Sequence, residues 1–142
     1  MIKADYPVAI ITGASRGIGA AIALLLARRK YKICINYNKN QLAAQDIVQQ
    51  IEKIGGAAIA VQADVADEEQ IVRMFSVVDQ KLGQINALVN NAGILFQQTS
   101  VEHLTAARVN QILQTNVTGT IICCREAIKR MAYKNGGIGG SI

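Results

Sequence analysis

The chain alternates short runs of β-branched and aliphatic residues with longer segments whose apolar residues recur every three or four positions. The short runs predict strands over residues 7–12, 32–37, 57–62 and 85–90. The longer segments predict helices over residues 16–29 and 39–54. A third helix is predicted from an Asp67 cap, with Gln70 three residues later in a capping-box pattern, to a point near Gly83.

The first predicted strand is apolar at every position from Val8 to Ile11, which indicates burial on both faces. Helical connections between such strands make the sheet parallel. The predicted fold class is therefore α/β, a doubly wound parallel sheet of the Rossmann-like type.

A long amphipathic segment begins at Thr105, a residue type that caps helices. Its apolar residues recur at spacings of three and four: Val109, Ile112, Leu113, Val117, Ile121, Cys124, Ile128 and Met131. This pattern predicts one long helix with a buried apolar face. The face is also larger than this sheet can cover, which favours association with a partner. Arg125 and Lys129 are expected to form a solvated face beside Glu126.

A glycine-rich stretch at residues 136–140 follows this helix, and Ser141 and Ile142 have the character of the first residues of another strand. We therefore expect residues 1–142 to form one domain of Rossmann type that is incomplete at its C-terminus and stops at the start of a fifth strand.

Composition narrows the class further. The chain has 142 residues, of which 51% are apolar and 18% charged, as expected for one globular domain. The longest apolar run, residues 20–27, is too short for a membrane helix, and the N-terminus lacks the pattern of a signal peptide. A cytoplasmic protein without membrane association is expected.

Charge and cysteine content exclude further classes. The net charge of +5 is dispersed and aromatic residues make up only 4%, which argues against nucleic-acid binding and leaves small anionic molecules as ligands. Three cysteines without metal-ligand spacing are expected to be reduced structural thiols, and a single histidine leaves no basis for a metal site.

The strongest chemical motif is TGASRGIG at residues 12–19, between the first strand and the first helix. Its glycines allow a tight turn and close approach of the backbone to a ligand, and free amides at the helix N-terminus favour an anion such as a pyrophosphate. The spacing differs from both G-x-G-x-x-G and the P-loop. By itself the motif is also compatible with an ordinary strand-to-helix turn.

In this context the motif resembles the Thr-Gly-x-x-x-Gly-x-Gly signature of the short-chain dehydrogenase/reductase family, and 3-oxoacyl-carrier-protein reductases and glucose dehydrogenases within it. The resemblance extends along the whole chain. It implies a cofactor-binding role for the motif residues Gly13, Ser15, Arg16, Gly17, Ile18 and Gly19.

Two further segments match the family. Asp64 and Val65, after the third strand, correspond to the residues that contact the adenine ring. The segment Asn90 to Gly93 corresponds to an Asn-Asn-Ala-Gly motif, in which Asn91, Ala92 and Gly93 border the cofactor. An Asp before a helix is also a common cap, and a plain turn would explain the second segment alone. The order and spacing of the motifs favour the family.

Asn116 lies at a helical position that the apolar pattern assigns to the buried face, where a polar amide must be hydrogen-bonded. Periodicity alone is equally compatible with a satisfied core asparagine. The resemblance implies that Asn116, three residues before Gly119, is the catalytic Asn that positions a water in a proton relay.

The end of the second strand bears on cofactor choice, because a carboxylate there would bind the ribose hydroxyls of NAD and repel the phosphate of NADP. The chain instead has Asn36, Tyr37 and Asn38, and the next carboxylate is Asp46. Arg16 adds a cation that can pair with a 2′-phosphate. NADP(H) is therefore predicted in preference to NAD(H).

The family's hydride chemistry also uses a Ser after the fifth strand and a Tyr-x-x-x-Lys motif. None of the four tyrosines has a lysine four residues later. Our first hypothesis is the cofactor-binding part of an NADP-dependent oxidoreductase that acts on a small carbonyl or secondary alcohol and forms a homo-oligomer, a dimer or tetramer. The alternative is a non-catalytic dinucleotide-binding module. A third possibility is a methyltransferase, which uses a similar sheet and also has a glycine-rich turn after its first strand. The Asn-Asn-Ala-Gly segment and Asn116 argue against it.

Overall fold

A parallel four-stranded sheet forms the centre of the computed structural model, which describes residues 6–142. Its strands are β1 (Val8–Ile11), β2 (Lys32–Tyr37), β3 (Ala57–Gln62) and β4 (Ile85–Val89). They lie in the order β3-β2-β1-β4. The predicted α/β class with a doubly wound parallel sheet is confirmed, and each predicted strand is present within one residue at either end.

Helices cover both faces of this sheet. They are α1 (Gly17–Arg28), α2 (Gln41–Lys53), α3 (Glu68–Lys81), α4 (Ala106–Leu113) and α5 (Thr120–Met131). The core on one face joins β-strand residues to α1 and α2 through small side chains such as Ala23. The core on the other face joins them to α3 and α5 around the fully buried Phe75.

Local capping sets where these helices begin. Helix α2 starts at Gln41, two residues later than predicted, because Asn40 accepts a hydrogen bond from the Ala43 amide at 3.0 Å. The predicted Asp67 cap of α3 is confirmed, since its Oδ1 accepts from the Gln70 amide at 3.2 Å. The helix predicted at residues 16–29 is α1, with Arg16 as its N-cap.

The long predicted helix runs from Ala106 to Met131, but it is not uniform. Between α4 and α5 the backbone forms a π-helical turn, Gln114–Gly119. A Cβ on Gly119 would lie 2.3 Å from the carbonyl oxygen of Val65, so this turn comes into direct contact with the loop after β3. The wider turn thus forms where the helix meets the loop after β3.

The apolar face predicted to be buried on this helix is largely exposed, and that prediction is wrong. Ile121 is 60% exposed and Ile128 50% exposed. On α5 the core takes in Met131 from the predicted face, together with Cys123 and Ala127, which lie beside that face. The sequence pattern shows that the face is apolar, but not which of its residues are covered.

Ser141 pairs with β4, as predicted for the start of another strand. Ala87 and Ser141 form a parallel bridge, in which the Ser141 amide donates to the carbonyl oxygen of Asn86 at 3.0 Å. Across residues 6–142, no helix is both long and apolar enough to cross a membrane.

Candidate functional site

A cavity of about 960 Å³ opens at the carboxyl end of the sheet. In doubly wound folds this edge is where ligands bind. The lining comes from the glycine turn, the ends of β2, β3 and β4, and the α4 region: Gly13, Ser15, Arg16, Gly17, Ile18, Asn36, Tyr37, Asn38, Lys39, Asn40, Ala63, Asp64, Val65, Ala66, Asn91, Ala92, Gly93, Ile94, Phe96, Gln111, Gln114 and Thr115.

The glycine turn is locked to the end of β4 by Thr12. Its hydroxyl oxygen accepts hydrogen bonds from the amides of Asn91 and Ala92, each at 3.0 Å. The Asn91 side chain donates from Nδ2 to the carbonyl oxygens of Thr12 and Gly13, at 2.9 and 3.1 Å. The glycine turn and the Asn-Asn-Ala-Gly segment are therefore one hydrogen-bonded unit.

Two glycines of this unit are required by its geometry. Gly13 has φ of +61°, and a Cβ there would lie 3.0 Å from the Cα of Ala92. A Cβ on Gly19 would lie 2.5 Å from Nδ2 of Asn91. Gly19 is buried beneath the turn and does not line the cavity, so its contribution is close packing of α1 on this unit.

Asn36 supports the glycine turn from below. Only 1% of this residue is exposed. Its Oδ1 accepts from the Gly13 amide at 3.1 Å, and its Nδ2 donates to the carbonyl oxygen of Ala63 at 3.0 Å. The Asn36 side chain thus joins the turn after β1 to the turn after β3 and fixes their relative positions in the cavity lining.

The N-terminus of α1 faces the cavity without a side-chain cap. Arg16 occupies the N-cap position but makes no capping hydrogen bond, and the first turn contains no acidic residue. The N-termini of α2, α3 and α4 are capped by Asn40, Asp67 and Thr105. The free amides of α1 and its dipole together suit a diphosphate group, and the exposed Arg16 adds a positive charge to the cavity lining.

Asp64 and Val65 form the far end of the cavity. One carboxylate oxygen of Asp64 accepts from the Ala66 amide at 2.9 Å, which fixes the loop after β3. Val65 is 7% exposed and its carbonyl oxygen packs on Gly119. This end combines a fixed carboxylate with an apolar surface, which suits a heteroaromatic ring bearing an amino group.

Asn116 lies just behind the cavity wall. Its Oδ1 accepts from the Ile94 amide at 2.8 Å, and its Nδ2 donates to the Ile94 carbonyl oxygen at 2.9 Å. The prediction that its amide is hydrogen-bonded is confirmed. Its expected setting among buried apolar residues is wrong, since Val117 beside it is 47% exposed.

The structure thus gathers the predicted binding residues around one cavity, with Gly19 and Asn116 in supporting positions. Sequence reasoning missed the contribution of α4 and the turn after it, where Gln111, Gln114 and Thr115 line the wall. Their spacing of three and four places them on one helix face. A polar stripe beside the apolar one was the available signal.

The loop after β4 closes the other end of the cavity. Phe96 lines the cavity, and the guanidinium carbon of Arg108 lies 5.5 Å from the centre of its ring. Arg108 also donates to the carbonyl oxygen of Gln97. Arg108 of α4 thus contacts this loop at two residues, Phe96 and Gln97.

The cysteines and the metal-ligating residue types of residues 6–142 complete the description of the site. Cys34, Cys123 and Cys124 are free, as predicted. Burial raises the pKa of Cys34 and of Cys123 to about 12, so both are protonated at neutral pH. The described residues contain no group of three His, Cys, Asp or Glu side chains that could hold a metal ion.

Comparison with known proteins decides the family. The family model for short chain dehydrogenase matches residues 7–142. The chain is a short chain dehydrogenase family member. It is 56% identical over 135 residues to the uncharacterized oxidoreductase YgfF of Escherichia coli (strain K12). The alignment covers 95% of this chain and 55% of that protein.

Solved structures of the short chain dehydrogenase family share its fold. A Serratia marcescens short-chain dehydrogenase/reductase double mutant superimposes with a TM-score of 0.85 at 30% identity, covering 88% of this chain and 51% of that one. A Burkholderia cenocepacia short chain dehydrogenase in complex with NADP gives 0.83 at 38% identity, covering 91% and 51%. The chain spans about half the length of the curated relatives it matches.

Proposed function

We propose that the chain binds NADP(H) and forms the dinucleotide-binding domain of an oxidoreductase that transfers a hydride between this cofactor and a carbonyl or secondary alcohol. The observation that carries the proposal is the single cavity shared by the glycine turn, the Asp64 loop and the Asn91 to Gly93 segment. The NADP complex of the Burkholderia relative supports the choice of ligand class.

The residues fit a dinucleotide from end to end. Backbone amides at the start of α1 would hold the diphosphate, with Gly17 and Ile18 at the helix entrance. Asp64 and Val65 would hold the adenine, and Gly93 would border the nicotinamide end. When bound, the nicotinamide ring supplies the hydride donor or acceptor.

Charge at the adenosine end supports NADP(H) over NAD(H). Arg16 and Lys39 are exposed and line the cavity, beside Asn38. Asp64 is the one carboxylate in this lining, and one of its oxygens accepts a hydrogen bond from the Ala66 amide. Two cations in reach of the ribose favour a 2′-phosphate, which an acidic residue at the end of β2 would repel.

Asn116 would support the proton relay as a positioning residue. Both polar ends of its side chain are engaged by the backbone of Ile94, which itself lines the cavity. Asn116 would thus fix the wall beside the reacting end of the cofactor. The general acid or base of the reaction is not among its contacts.

Association with a second copy through the exposed apolar face of α5 is part of the proposal. Ile121, Cys124 and Ile128 line a surface groove there with Arg125 and Lys129. A contiguous apolar patch of this kind is typical of a protein interface. The full enzyme would then be a homo-oligomer with a small-molecule substrate.

The alternative function is dinucleotide binding without catalysis. One observation favours it: the 142 residues contain no tyrosine followed by a lysine four positions later. Under this alternative the cavity and its cofactor preference are unchanged, but no hydride reaches a substrate. The 142 residues alone are expected to be inactive under both, so the coding sequence downstream of residue 142 separates them: a Ser and a Tyr-x-x-x-Lys motif there favour the oxidoreductase, and a stop codon favours the module.

Calorimetric titration of the chain with NADP⁺ and with NAD⁺ tests the binding proposal. We expect saturable binding of both, with NADP⁺ at least about 10-fold tighter, since one charge-assisted phosphate contact contributes about 1.5–3 kcal/mol. Absence of binding would refute the function, and equal affinities would refute the preference.

A further inference from the structure

Two glutamines outside the cavity connect α3 to the backbone segments that line its adenosine end. Gln62, the last residue of β3, donates from Nε2 to the carbonyl oxygen of Asn38 at 3.2 Å. Gln70, in the first turn of α3, accepts at Oε1 from the Asp64 amide at 2.9 Å. Asn38 and Asp64 both line the cavity, whereas the glutamines lie behind them.

The orientation of the Gln62 amide is fixed by Arg73. The Arg73 guanidinium donates to Gln62 Oε1 and to the Gln62 carbonyl oxygen, both at 3.2 Å. Because arginine has donors and no acceptor, it must meet the oxygen of the Gln62 amide. The nitrogen of that amide is then directed at the Asn38 carbonyl.

The Gln70 amide is oriented in the opposite sense by Asp67. Gln70 Nε2 donates to Asp67 Oδ2 at 2.9 Å, and hydrogen bonds from the Gln70 side chain and backbone lower the pKa of Asp67. An ionised carboxylate only accepts, so the amide oxygen of Gln70 faces the Asp64 amide. Gln62 Nε2 also lies 3.4 Å from Gln70 Oε1, which joins the two contacts.

The segment held by Gln62 carries the side chains nearest the predicted 2′-phosphate. Asn38 and Lys39 are exposed and line the cavity. At its two ends the Tyr37 carbonyl accepts from the Ala63 amide and Asn40 caps α2, both at 3.0 Å, and within it the Lys39 carbonyl accepts from the nearby Gln41 amide at 3.1 Å. The bond from Gln62 therefore restrains the middle of a segment that has to present charge at a defined place.

We propose that Gln62, oriented by Arg73, is a positioning residue for cofactor discrimination. It holds the Asn38 backbone so that Asn38 and Lys39 face the 2′ substituent of the adenosine ribose. This inference rests on the proposed binding of NADP(H). Loss of the bond should weaken NADP⁺ binding and leave NAD⁺ binding nearly unchanged, because NAD⁺ has an uncharged hydroxyl at that position in place of the phosphate.

The test compares Gln62→Met with Gln50→Met in the whole chain. Gln50 lies on α2 and donates to Asp46 at 2.7 Å, so its substitution removes a side-chain amide and a hydrogen bond away from the cavity. The quantity measured is the ratio of the NAD⁺ and NADP⁺ dissociation constants by calorimetry, with thermal unfolding recorded for each variant. We expect Gln62→Met to lower the ratio roughly 3- to 10-fold, as loss of one neutral hydrogen bond predicts, and Gln50→Met to keep it.

A ratio within twofold of the original for a folded Gln62→Met variant would overturn the inference while the proposed function stands. If the original chain binds neither dinucleotide, the proposed function fails and the inference with it. Should Gln62→Met not fold, Arg73→Met decides: a lowered ratio supports the positioning role, and an unchanged ratio overturns it. Arg73 is exposed, so its substitution leaves the core intact.

Discussion

The side chain of Asn116 is paired with the backbone of Ile94 through two hydrogen bonds, one to its amide and one from Nδ2 to its carbonyl oxygen. The pair connects the π-helical turn to the loop after β4 in the manner of two adjacent strands. These two hydrogen bonds link the π-helical turn to the cavity wall, of which Ile94 is part. Turns of this kind occur frequently at functional sites.

Replacement of Asn116 by Asp should therefore destabilise the chain. The variant loses the donor to the Ile94 carbonyl and directs a carboxylate oxygen at it, which we expect to lower the free energy of unfolding by about 1–3 kcal/mol. Denaturant unfolding measures this loss. Asn110→Asp on the exposed side of α4 is the control, with a change below about 0.5 kcal/mol. Equal losses for the two variants would contradict the role of the pair.

The contact between the helix and the loop after β3 predicts a steric effect at Gly119. Gly119→Ala places a Cβ 2.3 Å from the Val65 carbonyl oxygen, so either the turn or the loop must move. We expect a loss of about 1–3 kcal/mol in the free energy of unfolding, which exceeds the gain of up to about 1 kcal/mol from alanine in a helix.

Gly93→Ala provides the comparison for Gly119→Ala. A Cβ on Gly93 would make its nearest contact with Asn116 at 3.5 Å, an ordinary van der Waals distance. Its effect on unfolding should stay well below that of Gly119→Ala. Similar thermal shifts for both variants would show that the close approach of Gly119 to Val65 is not required.

The parts of the fold and of the site that could be predicted are those held by contacts between residues close in sequence. The turn after β1 and the Asp67 cap of α3 were predicted because they depend on residues close in sequence, namely spaced glycines and a side chain with its own helix amides. The paired motifs of Thr12 and Asn91 required the family resemblance, because their hydrogen bonds join residues about 80 positions apart.

The π-helical turn and the exposed face of α5 could not be predicted in the same way. Apolar periodicity identifies a face but not what covers it, and Ile121 and Ile128 satisfy the pattern without contact with the sheet. The turn itself depends on Val65 and Ile94 meeting the helix from distant parts of the chain. Its position was visible in the sequence only as an asparagine near a glycine.

The solvated face expected beside Glu126 is confirmed at Lys129, whose side chain is 58% exposed, and in part at Arg125, at 38%. The sequence pattern did not reveal the burial of Glu126 itself. Glu126 is 3% exposed and accepts from Arg125, Lys129 and Arg130 at 2.9–3.0 Å. Arg130 also forms an ion pair with Asp79, and Arg125 forms one with Glu68, each at 2.7 Å. The cluster therefore joins α5 to α3. Spacing of i+3 and i+4 predicts two of these pairs, but not the ion pairs with Glu68 and Asp79 of α3.

This cluster predicts a pH dependence of stability. Burial by itself raises the pKa of Glu126, but hydrogen bonds from Lys129, Arg130 and Arg125 outweigh it and lower the pKa from 4.5 to about 2. A group whose pKa is lower in the folded state stabilises it fully above pH 4.5, and the contribution disappears as the pH falls towards 2. At neutral pH it is on the order of 3 kcal/mol.

Unfolding of the original chain and of Glu126→Gln between pH 7 and pH 2 measures this contribution. The free energy of unfolding should fall more steeply below pH 4.5 in the original chain than in the variant. Glu69→Gln removes an exposed carboxylate of α3 and should keep the steep fall. Parallel curves for the original chain and Glu126→Gln would contradict the assignment.

The charge of Arg16 is expected to distinguish NADP⁺ from NAD⁺. Arg16 is exposed at the mouth of the cavity, and its guanidinium can pair with a 2′-phosphate that NAD⁺ lacks. Arg16→Met should therefore weaken NADP⁺ binding by roughly 10-fold or more, as loss of a charge-assisted hydrogen bond predicts, and change NAD⁺ binding by less than about threefold. Arg28→Met removes an exposed charge at the other end of α1 and should affect neither affinity. Because both dinucleotides carry the same diphosphate, an equal loss for NADP⁺ and NAD⁺ would place Arg16 at the diphosphate and remove it from the basis of the NADP(H) preference.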